Sequence, residues 1–167
     1  NTLFLTITPL VAIIGTFLIG FYGHFHGATI GLALVLTLMT GLSITAGYHR
    51  LFSHRTYKAS WPVRLVFLLV GAGAFEGSAV EWCTDHRRHH LYTDTEKDPY
   101  SIKQGFWHAH IGWLLFLDPS KRDYNNVKDL MNDPLMRFQH RFFPIIAIFM
   151  GFILPLAIAS LWGDPWG

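Results

Sequence analysis

The first 49 residues contain no Lys, Arg, Asp or Glu. This absence of charge constrains the fold more than any motif in the chain. Within it, Leu3 to Tyr22 reads "LFLTITPLVAIIGTFLIGFY", and Ala28 to Gly47 is a second apolar run of similar length. About 20 residues at a helical rise cover roughly 30 Å, the thickness of a hydrocarbon core. The turn between them, "GHFHG" at Gly23 to Gly27, is too short for structure of its own, so the second run must return across the membrane. A cleaved secretory leader fits the first run badly, because no basic segment precedes it and no small-residue cleavage site follows. Pro9 is tolerable inside a membrane helix. Phe142 to Trp162, with Pro155 inside, is a third run of this kind.

The charges sort the remainder. All 13 Lys and Arg lie between Arg50 and Arg141, and the earliest acid is Glu76. The hairpin turn has no Lys or Arg, whereas "HRLFSHRTYK" after the second run has three. The positive-inside rule puts the turn outside and His49 to Lys58 in the cytosol. Trp61 to Val80 is apolar but carries Arg64 and Glu76. A crossing there would separate the histidines on either side of it, so it is expected to lie at the interface or beneath the cytosolic part. The expected fold class is an all-α integral membrane protein, one domain over 1–167. Its spans are at about 3–22, 28–47 and 142–162, with a cytosolic helical part at about 48–141. Asn1 in place of Met, and a Gly-Asp-Pro turn signal near the other end, read as a segment of a longer protein. A net charge of +2 makes no case for nucleic acid. The lone Cys83 excludes a disulfide-stapled secreted domain.

The chemistry concentrates in "DHRRHHLYTDTEKDP", Asp85 to Pro99. His86, His89 and His90 are spaced H-x2-H-H, and three- and four-residue offsets fall on one helix face. Arg87 and Arg88 then point elsewhere. His49 and His54, spaced H-x4-H, would diverge on an α-helix, because five residues turn it by roughly 500°. The helix is expected to end near His49, with His54 reaching back from the next segment. Imidazole is the usual nitrogen ligand of iron, zinc, copper and nickel. Five exceed what one tetrahedral zinc takes, and no H-E-x-x-H pattern is present. The pattern suits a redox-active iron site at the water edge of a membrane. Asp85, Asp94 and Asp98 are suited to hydrogen bonds that orient imidazoles, or else they pair with Arg87 and Arg88. His24, His26 and His140 read as solvated or satisfied in the core, His108 and His110 as orienting or interfacial.

"TAGYHRLFSHRTYKAS" and "EWCTDHRRHHLYTDTEKDPYS" resemble the first and second histidine boxes of the membrane acyl-CoA delta-9 desaturases. "HIGWLLF" and "FILPL" extend the likeness over nearly the whole chain, in wording closest to the fungal and animal enzymes. The resemblance implies four membrane helices, a cytosolic helical cap and a di-iron centre held by histidines. His49, His54, His86, His89 and His90 would be iron ligands here. It implies insertion of a cis double bond into a saturated acyl chain carried as its coenzyme A thioester (stearoyl- or palmitoyl-CoA). Molecular oxygen and two electrons, usually from cytochrome b5, would be consumed at the cytosolic face of the endoplasmic reticulum membrane. Trp82 and Glu76 match the bend of the acyl tunnel, where animal members have glutamine at the second position. Asp85 matches an aspartate near coenzyme A, and Thr84 stands where animal members have an arginine. Arg87 and Arg88, with Lys121 and Arg122 as weaker candidates, are suited to meet the phosphates of the carrier, or else they belong to a solvated cytosolic face.

The family's third H-x2-H-H box, one further histidine and a fourth span do not follow Trp162. About half of the ligand set is therefore expected here, and this polypeptide alone is not expected to be active. The chemistry has a reason independent of the likeness: an unactivated methylene yields only to a cofactor oxidant, which the protein positions and keeps dry. The alternatives are a related membrane di-iron hydroxylase, an acyl-lipid desaturase, and a non-catalytic membrane protein that binds metal.

Overall fold

The structure is a computed structural model that describes residues 2–23, 26–116 and 122–164. Among the described residues there are helices and turns but no strand. Helix α1 (Thr2–Phe21) and helix α2 (Gly27–Leu42) bury none of their residues. Leu, Ile and Phe side chains project from α1 on all sides, as they do where lipid is the solvent. Among the described residues, three continuous helices are long and apolar enough to cross a membrane: Thr2–Phe21, Gly27–Ser53 and Pro134–Trp162. A helix suits that setting because it satisfies its own backbone without water. This is the all-α integral membrane fold expected from the composition.

The second of these helices does not end near His49. From Ser43 to Ser53 the chain winds as a π-helix, with each amide reaching the carbonyl five residues back. The winding closes with the His54 amide donating to the His49 carbonyl at 3.0 Å. A five-residue repeat puts His49 and His54 nearly above one another, with ring centroids 4.5 Å apart. The expected divergence assumed α-helical turns, and the wider turn removes it.

Helix α3 (Trp61–Ala72) has 12 residues. At about 1.5 Å per residue it reaches roughly 18 Å, short of a hydrocarbon core. It packs beside the π-wound segment instead. Helix α4 (Ala79–Tyr92) carries the second histidine group. It opens with a capping box: the Glu81 amide donates to Ser78 Oγ at 3.2 Å, and the Ser78 amide donates to Glu81 Oε2 at 2.9 Å. A looser stretch follows, with short helices α5 (Trp113–Leu115) and α6 (Lys128–Met131). Asp133 then caps α7 (Pro134–Ile148), which continues through a π-wound turn at Phe149–Ile153 into α8 (Leu154–Ala159).

The core that fixes these pieces is small and lies at one end of the bundle. Tyr48, Leu68, Val80, Cys83, Val127 and Met136 keep no exposed surface. Gln139 on α7 is buried among them and spends its whole amide on neighbours. It donates to Tyr48 Oη at 2.9 Å and to the Leu68 carbonyl at 3.4 Å, and accepts from the Ala79 amide at 3.0 Å. One buried side chain thus ties the π-wound segment, α3 and α4 to α7. Close approach is needed as well. A Cβ at Gly71 would stand 2.6 Å from Tyr48 Cε1. Gly71→Ala is therefore expected to cost about 1–3 kcal/mol through overpacking, read as a lower unfolding midpoint in nanodiscs. Gly31→Ala, whose Cβ would meet nothing within 4 Å, is expected not to lower it.

Candidate metal centre

His49 lies in the π-wound segment, His54 caps it, and His86 and His90 come from α4. Each offers a ring nitrogen within 4.8 Å of the others. His86 is central, with its Nε2 3.0 Å from His54 Nε2 and 3.1 Å from His90 Nε2. A ring nitrogen holds in its plane either one hydrogen or one lone pair. His86 Nε2 can therefore satisfy only one of those contacts by hydrogen bonding, whereas a cation where they converge would satisfy them together. Two nitrogens about 2.1 Å from one ion, at right angles, stand about 3.0 Å apart, close to the spacing present. Burial, then the rings of His49, His90, His54 and His89, push the His86 imidazole down to about 3. Burial and its ring neighbours lower His54 as well. Neutral imidazole is the form that ligates a metal. Cys83 offers no ligand, since its buried thiol faces the Tyr48 carbonyl at 3.5 Å and burial pushes it up to about 12.

His89 sits at the rim of the cluster. Its Nδ1 lies 2.9 Å from Asp98 Oδ1, and its ring stacks on Tyr100 with centroids 4.2 Å apart. With Nδ1 committed, Nε2 is the nitrogen it can offer to an ion. Asp98 is buried and also accepts the Asp94 and Tyr100 amides. Burial pushes its carboxyl up, but these hydrogen bonds outweigh it and hold Asp98 below the usual carboxylate range. Of the three acids read as orienting groups, Asp98 alone touches an imidazole of the cluster, while Asp85 pairs with Arg122. His108 Nε2 lies 3.3 Å from the Pro99 carbonyl and His110 stacks on Phe106. His140 Nδ1 meets Ser78 Oγ at 2.7 Å. His24 lies outside the described residues, as does Lys121.

Trp82 stacks on His86 at 4.7 Å and meets His49 edge-on. Its Nε1 donates to Glu76 Oε2 at 2.9 Å, so Glu76 fixes the indole that backs the central imidazole. Both line a cavity of about 360 Å³ that passes His86. One part of its wall is apolar, with Phe4, Phe75 and Phe143; another is polar, with Glu81, Asp85 and Arg122. Phe75 holds a left-handed backbone (φ 58). Its ring packs on Phe4 and Phe152 and so close to Gly151 that a Cβ there would collide with it.

The cations fall differently from the sequence reading. All five N–H donors of Arg87 are spent: on the carbonyls of Phe52, Ser53 and Asn126 and on both oxygens of Asp129. In this arrangement it has none to give a phosphate. Arg122 reaches Asp85 and Glu81. Arg88 donates only through Nε in the contacts described, to the Lys97 carbonyl at 2.8 Å. Thr84 is buried and returns its hydroxyl to the Val80 carbonyl. Sequence reasoning missed Tyr100, Asp129 and Glu81, and it did not find the partner of Asp85, Arg122. The only local signal among these side chains was the S-x-x-E cap around Glu81.

A helical membrane protein that gathers imidazoles beside a partly apolar cavity belongs to a narrow class. The family model described as fatty acid desaturase matches residues 24–167, and the chain belongs to that family. A probable acyl-CoA desaturase of Schizosaccharomyces pombe is 48% identical over 93% of this chain and 32% of its own length. Stearoyl-CoA desaturase 5 of Bos taurus is 39% identical over 76% of this chain and 39% of its own. An sn-1 stearoyl-lipid 9-desaturase of Anabaena variabilis is 40% identical over 78% of this chain and 49% of its own. Other relatives are named as Delta(11) and Delta12 desaturases. The chain thus spans between about a third and a half of the length of these relatives.

The ring geometry carries its own test. Cobalt(II) at about 100 times its dissociation constant is expected to stabilise the protein by about 2.7 kcal/mol, seen as a raised unfolding midpoint. His86→Ala, which removes the central ring, is expected to abolish that shift.

Proposed function

We propose that this protein is a membrane acyl-CoA desaturase that inserts a cis double bond, at the delta-9 position, into a saturated acyl chain. The observation that carries the reading is the cavity, which is lined by His86, the central ring of the cluster, together with Phe4, Phe75 and Phe143. Phe4, Phe75 and Phe143 would hold the acyl chain by burying its methylenes, worth roughly 0.8 kcal/mol each. Trp82, fixed by Glu76, would form the wall that turns a methylene pair towards His86. His49, His54, His86, His89 and His90 would hold iron, in a two-iron site that takes further ligands. When bound, iron supplies the oxidising power that no side-chain acid or base can bring to a methylene, drawing on molecular oxygen and two electrons. The enclosing side chains keep water from the reacting carbons. Arg88 is the better placed of the two arginines to meet carrier phosphates, because Arg87 is fully engaged. The basic residues beside the cluster support a cytosolic site; the endoplasmic reticulum and a cytochrome b5 donor are carried over from the family resemblance.

The carrier and the position of the bond are the finer parts of the proposal. Relatives named for coenzyme A and for lipid substrates share the cluster-bearing segment, as do relatives named for three bond positions. Membranes containing the native protein, supplied with labelled stearoyl-CoA and reduced cytochrome b5, are expected to yield the delta-9 alkene. His86→Ala is expected to reduce turnover to background. A hydroxylated product without alkene would overturn the reading in favour of a related hydroxylase. Conversion of the lipid ester but not the thioester would overturn the carrier.

A further inference from the structure

We propose that Arg87, locked by Asp129, is a positioning residue that sets the register between the two histidine boxes; the role in metal binding rests on the function proposed above. Arg87 directly follows His86, and two of the carbonyls it holds, Phe52 and Ser53, directly precede His54. Its Nη2 donates to the Phe52 carbonyl at 2.8 Å and its Nε to the Ser53 carbonyl at 3.1 Å. Carbonyls at the end of a helix lack partners within it, so the guanidinium completes the end of the π-wound segment from a neighbouring helix. The side chain is only 15% exposed. Its Nη1 also takes the Asn126 carbonyl at 2.8 Å and Asp129 Oδ1 at 2.7 Å.

Asp129 serves both boxes. It fixes the plane of the Arg87 fork through two oxygens and pairs with Arg55 at 2.6 Å. Arg55 follows His54 and holds a left-handed backbone (φ 54), uncommon for a residue with a side chain. The turn is closed on its far side by Thr56, whose amide and hydroxyl donate to the Arg50 carbonyl. His54 is thus held from both neighbours by groups that converge on Asp129. A lysine would keep the charge but not the planar fork that reaches two carbonyls and a carboxylate at once.

The test is metal affinity by chelator competition, together with site-resolved amide exchange on the metal-free protein. Arg87→Lys and Asp129→Asn are each expected to weaken metal binding by about 10–100-fold. Both should also speed exchange at the His54 and Thr56 amides by about tenfold or more relative to the rest of the chain. Arg64→Lys, which loosens a different ion pair with Asp133, is expected to do neither. Unchanged exchange at His54 and Thr56 in Arg87→Lys would overturn the clamp, and so would a metal affinity equal to the parent's. A parent protein that binds no metal would defeat the proposed function, and with it the clamp's part in metal binding. The exchange measurement would still decide the clamp itself.

Discussion

His54 Nε2 stands 3.0 Å from His86 Nε2 across 32 residues of sequence. That contact is the constraint on which the rest of the structure depends. Hydrogen bonding can satisfy only one of the two close contacts at His86 Nε2, so ring-to-ring bonds alone do not hold the cluster together. The scaffold must do so in advance. Gly47 and Gly71 let backbone and rings come closer than any Cβ would allow. Gln139 binds three elements to α7 through one buried amide. Each device acts on backbone or on a fixed ring in a dry setting, where a fully satisfied polar group specifies one arrangement and a half-satisfied one is costly.

The chain carries few charges, and the structure spends many of those described on itself. Arg122 pairs with Glu81 and Asp85, Arg87 with Asp129, and Arg64 with Asp133. These pairs are only partly buried, and such pairs add little net stability, because desolvation and solvent screening offset the attraction. Their value here is register. All four pairs join helices to loops or to other helices, at the end of the bundle where the imidazoles meet. The same commitment leaves Arg87 no free donor for an anionic ligand, whereas Arg88 donates only through Nε in the contacts described.

Much of this architecture was legible in the sequence, for local reasons. Charge-free runs of membrane length can hardly be anything but spans, and the H-x2-H-H offset fixes one face of any α-helix that carries it. The π winding was not legible. "SITAGYHRLFS" can wind by four or by five, and packing against α3 and α4 accompanies the wider turn. The partners of Arg87 were not legible for a similar reason. A cation beside histidines suggests a phosphate partner, but what occupies it is a carboxylate 42 residues away and carbonyls 34 and 35 residues away. The acids near the second box could be read as a group that orients imidazoles. Which of them does so depended on the loop that buries Asp98.

The cluster also settles the path of the chain between its two halves. Histidines that share one site must lie on one side of the membrane, so the connection between them crosses an even number of times. Two crossings of about 20 residues each would need about 40, and only 32 positions separate His54 from His86. The connection therefore does not cross, and α3, at roughly 18 Å, is short enough to lie under the cluster. Arg64 on α3 pairs with Asp133, the cap of α7, which brings the start of the third long helix to the same level. At the other end of that helix, Trp162 Nε1 donates to Thr29 Oγ1 at 3.0 Å, and Thr29 in turn donates to Asp164. The start of α2 and the end of the third helix thus share the far side. The side-chain contacts and the spacing of two histidine groups arrive at the same topology as the hydropathy of the runs, by an independent route.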